Sequence, residues 1–188
     1  MMRPKLTIQD GWLEPARRIL SPNQDLRPTG EISLVVIHSI SLPPGQFGGG
    51  FVDQLFTNRL DPQAHPYFAA IAGLKVSAHL FIDRQGKLTQ YVPFHRRAWH
   101  AGVSCYKGRE KCNDFSIGIE LEGTETLPFT EAQYATLVEV LGVLLKTYPE
   151  LSRERIVGHS DIAPRRKTDP GPSFDWERLY WALTQKGF

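Results

Sequence analysis

The stretch S-L-V-V-I-H, residues 33–38, decides the fold of this chain. It is a continuous apolar run rich in β-branched residues, which is typical of a strand that a sheet buries on both faces. The run ends abruptly in His38. Because sheets commonly present functional groups where their strands end, the stretch predicts a buried strand with a candidate functional side chain at its end.

A second strand is predicted over F-S-I-G-I-E-L-E, residues 115–122. The side chains of this stretch alternate between the two faces of the sheet. One face carries the apolar residues Ile117, Ile119 and Leu121, and the other carries Ser116, Gly118, Glu120 and Glu122. Because Gly118 has no side chain, we expect open space beside Glu120.

A long loop, a short helix and a hairpin are predicted between these strands. Residues 39–50, S-I-S-L-P-P-G-Q-F-G-G-G, contain too much Pro and Gly for regular structure, and a short helix is expected at residues 51–58. Loops of this size in compact domains are usually functional or disordered, so the loop beside His38 is a candidate rim of a substrate site. Residues 78–92 predict two strands joined at residues 84–86.

The last third of the chain changes to a helical period. Apolar residues recur at helical spacing after Thr130, which fits a capping box with Gln133, and Pro149 stops this helix. A short strand, R-I-V-G-H, then ends in His159, and Asp175 is expected to cap a final helix. Strands interspersed with helices predict the α/β class, here a single domain with a central mixed β-sheet flanked by α-helices.

Charge and composition narrow the possible partners. The 188 residues include 22 Lys and Arg against 20 Asp and Glu, and this net charge of +2 gives no general attraction to nucleic acid or to an acidic membrane. The N-terminal residues lack the apolar run of roughly 7–15 residues that a secretory signal needs, and no apolar stretch has membrane-spanning length. We therefore expect a cytosolic protein with no nucleic-acid, membrane or obligate protein partner.

The two cysteines are assigned no chemistry. In a reducing compartment Cys105 and Cys112 are expected to be thiols, in preference to a disulfide or a ligand pair. Their spacing is wider than that of zinc-binding pairs.

The N-terminal residues 1–31 are rich in turn-forming residues: Pro4, Pro15, Pro22, Pro28 and Gly30. This pattern predicts an extended arm that wraps around the domain more than it forms part of it. The domain itself would then occupy residues 32–188.

Three residues form a candidate metal site: two follow predicted strands and the third lies in a loop. His38 and His159 follow short strands, and Asp169 lies a little further on, in the proline-rich segment D-I-A-P-R-R-K-T-D-P-G-P. Catalytic zinc requires three N, O or S ligands and one open position, and prolines stiffen a loop that carries a ligand. The alternative for each histidine is a hydrogen-bonded structural role, which is the commoner one for a single histidine.

Two further residues suit hydrolysis at such a site. Glu120 can transfer a proton from water to a leaving amine, and Lys167 can place a positive charge at a developing oxyanion. The alternatives are a surface carboxylate for Glu120 and a solvated side chain for Lys167. The other histidines are weaker candidates: His65 is expected in a turn, and His79, His95 and His100 are possible supporting or substrate-facing residues, His100 foremost.

These segments resemble the zinc-dependent N-acetylmuramoyl-L-alanine amidase family, which is related to T7 lysozyme and the peptidoglycan recognition proteins. The closest resemblance is to its AmpD branch of cytosolic cell-wall recycling amidases. From about residue 30 to residue 178 the matching motifs occur in the same order: V-V-I-H, S-L-P-P-G-Q-F-G-G-G, H-P-Y-F, V-S-A-H, Y-V-P-F, R-A-W-H-A-G-V-S, C-N-D-F-S-I-G-I-E-L-E-G and G-H-S-D-I-A-P-R-R-K-T-D-P-G-P-S-F-D-W.

The resemblance implies a zinc amidase catalytic domain over residues 32–188. It implies that the Zn²⁺ ligands are His38, His159 and Asp169, and that the catalytic residues are Glu120 and Lys167. The implied substrate is an anhydro-muropeptide, cleaved at the amide between the lactyl group of 1,6-anhydro-N-acetylmuramic acid and L-alanine. Two-His, one-Asp ligation also accepts other divalent ions.

Four substrate-binding residues are implied less directly. Trp99 offers an apolar plane to the sugar, with a buried core position as the alternative. Lys75 and Lys111 stand where relatives tend to have arginine near the peptide carboxylates, and lysine lacks the bidentate fork of arginine. Ser39 follows the first ligand where this branch usually has asparagine.

Two other functions remain open from the sequence. One is an amidase that acts on intact murein outside the cytosol, which the missing signal segment argues against. The other is a module that binds muropeptides without cleaving them. Such modules typically lose a metal ligand, whereas this chain keeps all three.

Overall fold

The structure is a computed structural model that describes residues 5–188. Its central element is a six-stranded mixed sheet. The first four strands of the sheet are parallel, the fifth is antiparallel to the fourth, and the sixth is parallel to the fifth. In the order in which they lie side by side, the strands are β12 (Ile156–Gly158), β5 (Leu34–Ile40), β11 (Ser116–Glu122), β6 (Leu80–Ile82), β7 (Leu88–Gln90) and β3 (Arg17–Arg18).

Strands β5 and β11 lie in the middle of this sheet and pair in parallel over their whole lengths. The register places Glu120 directly beside His38. Alternation turns Val35 and Ile37 to one face and Val36 and His38 to the other, where the even-numbered residues of β11 also lie. The two predicted functional side chains therefore share one face of the sheet.

The opposite face is covered by two helices, α3 (Glu131–Thr147) and α5 (Trp176–Gln185). The predicted capping box is confirmed, because Thr130 Oγ1 accepts from the backbone N–H of Gln133 and the Gln133 side chain accepts from the N–H of Thr130. Asp175 caps α5 by accepting from the N–H of Arg178. Apolar side chains of both helices pack on the sheet in the main core, among them Leu137, Leu141, Leu144, Leu179 and Leu183.

Three shorter helices lie on or near the functional face: α1 (Phe51–Phe56), α2 (Pro66–Ile71) and α4 (His159–Ile162). The sequence predicted α1, which ends two residues earlier than expected, but not α2. His65, expected in a turn, is the N-cap of α2, and its Nδ1 accepts from the backbone N–H of Tyr67 at 3.1 Å. Single turns of 3-10 helix occur at Cys112–Asp114 and Arg153–Arg155.

The N-terminal segment is built into the domain more than the sequence suggested. Its strand β3 forms one edge of the central sheet, and Leu13 is fully buried in the main core. The remaining short strands form small antiparallel pairs: β1 (Thr7–Gln9) with β2 (Trp12–Glu14), β4 (Gln24–Leu26) with β8 (Arg96–Ala98), and β9 (Cys105–Tyr106) with β10 (Arg109–Glu110). The first four residues of the predicted arm lie outside the described part of the chain, and the boundary at residue 31 stays a prediction.

The α/β class with a mixed sheet and flanking helices is confirmed, as is the hairpin of β6 and β7, whose turn is closed by the N–H of Gly86 donating to Asp83 O. Two strand ends differ from expectation. Strand β5 continues past His38 to Ile40, and His159 is the first residue of α4 instead of the last residue of a strand. Within residues 5–188, no helix combines the length and apolar character needed to cross a membrane.

Candidate active site

The predicted ligands His38, His159 and Asp169 come together on one face of the sheet. His38 Nδ1 lies 3.0 Å from His159 Nδ1 and 3.2 Å from Asp169 Oδ2. His159 Nδ1 lies 3.1 Å from Asp169 Oδ1. These separations approach the distance of about 3.3 Å between ligand atoms that tetrahedral geometry gives for zinc–nitrogen bonds of about 2.0–2.1 Å.

The hydrogen bonds of the outer ring nitrogens show which atoms of the cluster are free to bind a cation. His159 Nε2 lies 3.2 Å from the carbonyl oxygen of Ala101, which can only accept, so Nε2 carries the proton and Nδ1 of the neutral ring has a free lone pair. His38 Nε2 lies 2.9 Å from His100 Nδ1, and His100 Nε2 lies 3.0 Å from Ser116 Oγ. If His38 Nε2 donates to His100 Nδ1 and His100 Nε2 donates to Ser116 Oγ, which is one of the two directions that these contacts allow, Nδ1 of His38 is free as well.

Burial favours the uncharged form of His38 and the cluster favours the charged form of Asp169. Burial lowers the pKa of His38 to about 4, although the neighbouring Asp169 carboxylate opposes the shift. Burial raises the pKa of Asp169, but the neighbouring rings of His159 and His38 outweigh it and hold this pKa well below its usual value. When Nδ1 of His38 is free, two nitrogen lone pairs and a carboxylate converge at about 3 Å, and a bound cation would remove their mutual repulsion. The residues therefore fit a divalent metal.

Glu120 lies beside this cluster with one oxygen available for chemistry. Among the described residues, its buried Oε2 has no hydrogen-bond partner. Burial, reinforced by the negative charge of Asp169, raises the pKa of Glu120 well above its ordinary value, and the charge of Lys167 opposes this. Buried carboxylate oxygens are normally hydrogen-bonded, so the exception marks Glu120 as a functional candidate.

The open space that the sequence predicted beside Glu120 is occupied by the His100 ring. The His100 ring lies against Gly118, so closely that a Cβ on Gly118 would be 2.4 Å from His100 Cγ. The glycine therefore accommodates the histidine that supports His38. His79 packs beside this ring, with ring centroids 5.9 Å apart.

A cavity of about 520 Å³ opens over the cluster. Glu120 and Lys167 line it together with all three members of the cluster. Lys167 is partly buried and follows Arg166 on the loop between α4 and Asp169. Its lining includes the apolar and aromatic residues Leu42, Leu55, Phe56, Tyr67, Ile71, Leu74 and Trp99.

Three of the four predicted substrate-binding residues line one of two cavities. Ser39 and Trp99 line the cavity over the cluster. Lys75 is exposed between Leu74 and Val76, which line that cavity, but is not itself part of the lining. Lys111 lines a separate cavity of about 560 Å³, and Arg166 borders both cavities.

Sequence reasoning missed several contributors to the site. Ala101 acts through a backbone carbonyl, which has no sequence signature. Arg166 was given no role, but its Nη2 donates to Ala101 O at 2.6 Å. Asn113 was not singled out at all. Cys105 is exposed and Cys112 buried, and both are free thiols.

Comparison with known proteins adds four similarities to this geometry. A family model described as N-acetylmuramoyl-L-alanine amidase matches residues 28–172. The chain is 60% identical over 180 residues to the 1,6-anhydro-N-acetylmuramyl-L-alanine amidase AmpD of Citrobacter freundii, covering 95% of this chain and 96% of the relative. A crystal structure of a selenomethionine derivative of AmpD matches with a TM-score of 0.91 and 59% identity, over 94% of this chain and 98% of that one. A complex of the amidase AmiD from E. coli with its substrate anhydro-N-acetylmuramic acid-L-Ala-D-γ-Glu-L-Lys matches with a TM-score of 0.60 and 28% identity, over 95% of this chain and 65% of that one.

Proposed function

Because this chain belongs to the N-acetylmuramoyl-L-alanine amidase family, we propose that it cleaves 1,6-anhydro-N-acetylmuramyl-L-alanine in peptidoglycan recycling. The bond is the amide between the lactyl group of the anhydro sugar and the L-alanine of the stem peptide, and the products are the free sugar and the free peptide. The name of the Citrobacter freundii relative supports this substrate. The observation that carries the chemistry is Oε2 of Glu120, on the strand beside His38, which has no hydrogen-bond partner within residues 5–188.

We propose that the cation is Zn²⁺, held by His38, His159 and Asp169. Two imidazoles and one carboxylate form a donor set used by catalytic zinc sites, which keep a fourth position open. When bound, zinc supplies a Lewis acid that polarises the substrate carbonyl and lowers the pKa of water to about 7. The free lone pair of His159 Nδ1, joined by that of His38 Nδ1 when His38 donates to His100, supports this assignment.

Glu120 is proposed to move the proton. Its Oε2 accepts a proton from the attacking water and delivers it to the amine nitrogen of the leaving L-alanine. The raised pKa of Glu120 suits this role, because a general base works best when its pKa lies near the working pH. The orphaned oxygen has no competing hydrogen bond among the described residues.

Lys167 is proposed to stabilise the charge that develops on the carbonyl oxygen. It lines the same cavity as Glu120, and its positive charge acts on the Glu120 carboxylate. A fixed cation in a partly closed cavity stabilises an oxyanion more than it would in water.

The two cavities support a division of the substrate into sugar and peptide. The apolar lining that includes Trp99 is proposed to hold the anhydro sugar, and Ser39 to donate or accept one hydrogen bond near it. Lys111, in the second cavity, and the exposed Lys75 are proposed to attract the carboxylates of the stem peptide. Arg166 borders both cavities and marks their junction.

A cytosolic location is proposed with this function, because soluble anhydro-muropeptides are the substrate. No nucleic-acid, membrane or obligate protein partner is expected. Fractionation of cells that express the full chain tests the location directly, and recovery with the membrane or secreted fraction would contradict it.

The activity is tested by mass spectrometry of released peptide. The zinc-loaded protein is incubated with anhydro-muramyl tripeptide and, separately, with intact sacculi, each with and without a chelator. We expect chelator-sensitive release of tripeptide from the soluble substrate and little release from sacculi. Glu120→Gln, which keeps the shape of the side chain, is the matched inactive control.

Two outcomes would replace the proposal. Comparable release from sacculi would assign a general wall hydrolase. Binding of the tripeptide without cleavage of either substrate would assign a recognition module, and the roles of Glu120 and Lys167 would then be wrong.

A further inference from the structure

The two histidines of the cluster are supported by two consecutive residues. His38 Nε2 lies 2.9 Å from His100 Nδ1, and His159 Nε2 lies 3.2 Å from the carbonyl oxygen of Ala101. One support is a side chain and the other is backbone. The orientations of both rings therefore depend on the position of the His100–Ala101 pair.

Asn113 holds this pair in place. Its Oδ1 accepts from the backbone N–H of His100 at 3.1 Å and from the N–H of Ala101 at 2.8 Å. A single amide oxygen has two lone pairs and can satisfy both donors. Because the two N–H groups belong to adjacent residues, this contact fixes the direction of the backbone at the point where both supports begin.

The backbone of Asn113 is itself anchored to the central sheet. Asn113 lies in the 3-10 turn Cys112–Asp114, which leads into β11. The buried guanidinium of Arg27 donates to the carbonyl oxygens of Asn113 and Asp114, each at 3.2 Å, and to that of Ser116 at 2.8 Å. Asn113 is thus tied to the strand that carries Glu120.

We propose that Asn113 is a positioning residue for the metal centre, acting through the His100–Ala101 pair on both histidine ligands. It touches neither the reacting atoms nor the cation. A ring whose outer nitrogen is held as a donor presents the opposite nitrogen without a proton, which metal ligation requires. The inference rests on the proposed metal binding and adds to it a residue that lies outside the ligand set.

The test measures Zn²⁺ affinity of the full chain by competition with a chromophoric chelator. Removal of supporting partners of this kind typically weakens metal binding by roughly 10–100-fold, and we expect this loss for Asn113→Ala. Asn113→Asp keeps an oxygen that accepts both N–H groups, so we expect its affinity to stay close to that of the wild type. Equal affinity of Asn113→Ala and the wild type would overturn the proposal.

A second readout follows the rings themselves. Long-range ¹H–¹⁵N correlation in the zinc-free protein reports which nitrogen of His38 and His159 carries the proton. We expect protons on Nε2 in the wild type and in Asn113→Asp, and a mixture in Asn113→Ala. An unchanged pattern in Asn113→Ala would contradict a positioning role.

Two controls separate positioning from general stability. Thr130→Ala breaks the cap of α3 on the opposite face of the sheet and should lower stability without changing Zn²⁺ affinity. If Asn113→Ala does not fold, His100→Phe removes the side chain that supports His38 and keeps the backbone contacts of Asn113 with residues 100 and 101. Unchanged Zn²⁺ affinity in that variant would refute the mechanism. Failure of the wild type to bind Zn²⁺ would instead overturn the proposed function, and this inference with it.

Discussion

Replacement of Gly118 by alanine tests how tightly side chains pack on the face of the sheet that carries His38 and Glu120. A Cβ at this position would lie 2.4 Å from Cγ of the His100 ring, 2.6 Å from Nδ1 and 2.7 Å from Cδ2. Gly118 does not adopt a left-handed conformation, so space and not backbone strain excludes the side chain. The ring must move, and its hydrogen bonds to His38 and Ser116 must lengthen.

The size of the effect follows from these contacts. Overpacking a well-filled core by one methyl group costs about 1–3 kcal/mol, and the lower entropy of the unfolded alanine chain offsets about 0.4–1 kcal/mol of it. The net loss lies between about 0 and 2.6 kcal/mol, and its middle value of about 1.3 kcal/mol lowers the melting temperature of a domain of this size by about 3–5 °C. We also expect weaker Zn²⁺ binding, because the displaced ring is the support of His38.

Thermal denaturation of the zinc-free protein and chelator competition measure the two effects. Gly73→Ala is the matched control, because Gly73 has no positive φ and a Cβ there would meet nothing within 4 Å. This control should be neutral or slightly stabilising. If Gly118→Ala matched the wild type in both melting temperature and Zn²⁺ affinity, the reasoning about the wedged His100 ring would be refuted.

Three further predictions concern catalysis, pH and stability. Glu120→Gln should lower kcat by about 10²–10⁴-fold with Zn²⁺ affinity retained, and steady-state kinetics showing kcat near the wild-type value would remove Glu120 from the mechanism. The zinc-free protein should gain stability as pH rises from about 4, the lowered pKa of His38, toward the ordinary histidine pKa of about 6.5, because the unfolded chain binds more protons there. The gain is at most about 1.4 kcal/mol per pH unit for a histidine that stays neutral in the folded state, and Glu120, whose pKa is raised, opposes it. The histidines concerned are His38, His79 and His100, whose pKa values burial lowers. If urea titrations gave a free energy of unfolding that stayed flat or fell over this pH window, the burial of these rings would be contradicted. Asp175→Ala removes the cap of α5 and should cost about 1 kcal/mol, and an unchanged urea midpoint would show that the cap is not stabilising.

The sequence predicted those parts of the site that depend on local pattern. Period-2 alternation placed Glu120 on one face of its strand, and the apolar run to His38 marked the neighbouring strand. Alternation alone does not set the register between two strands, and the direct pairing of Glu120 with His38 was visible only in the sheet.

The parts that were missed depend on distant or backbone partners. Strand β3 has two residues and is defined by Arg17 pairing with Thr89, far along the chain, so its own sequence contains too little pattern to predict it. Helix α2 begins with an uncommon N-cap, His65, and is short. Ala101 supports His159 through a carbonyl, and no residue type indicates such a role.

The wide spacing of His38 and Asp169 along the chain has a consequence for when the cation site can form during synthesis. His38 and Asp169 are 131 residues apart, so a growing chain that already contains His38 completes the cation site only after a further 131 residues have been added. Leu179 and Leu183 of α5 follow Asp169 in the chain and belong to the main core, so the core and the cation site are completed together, and a bound cation would stabilise the folded chain over the unfolded one.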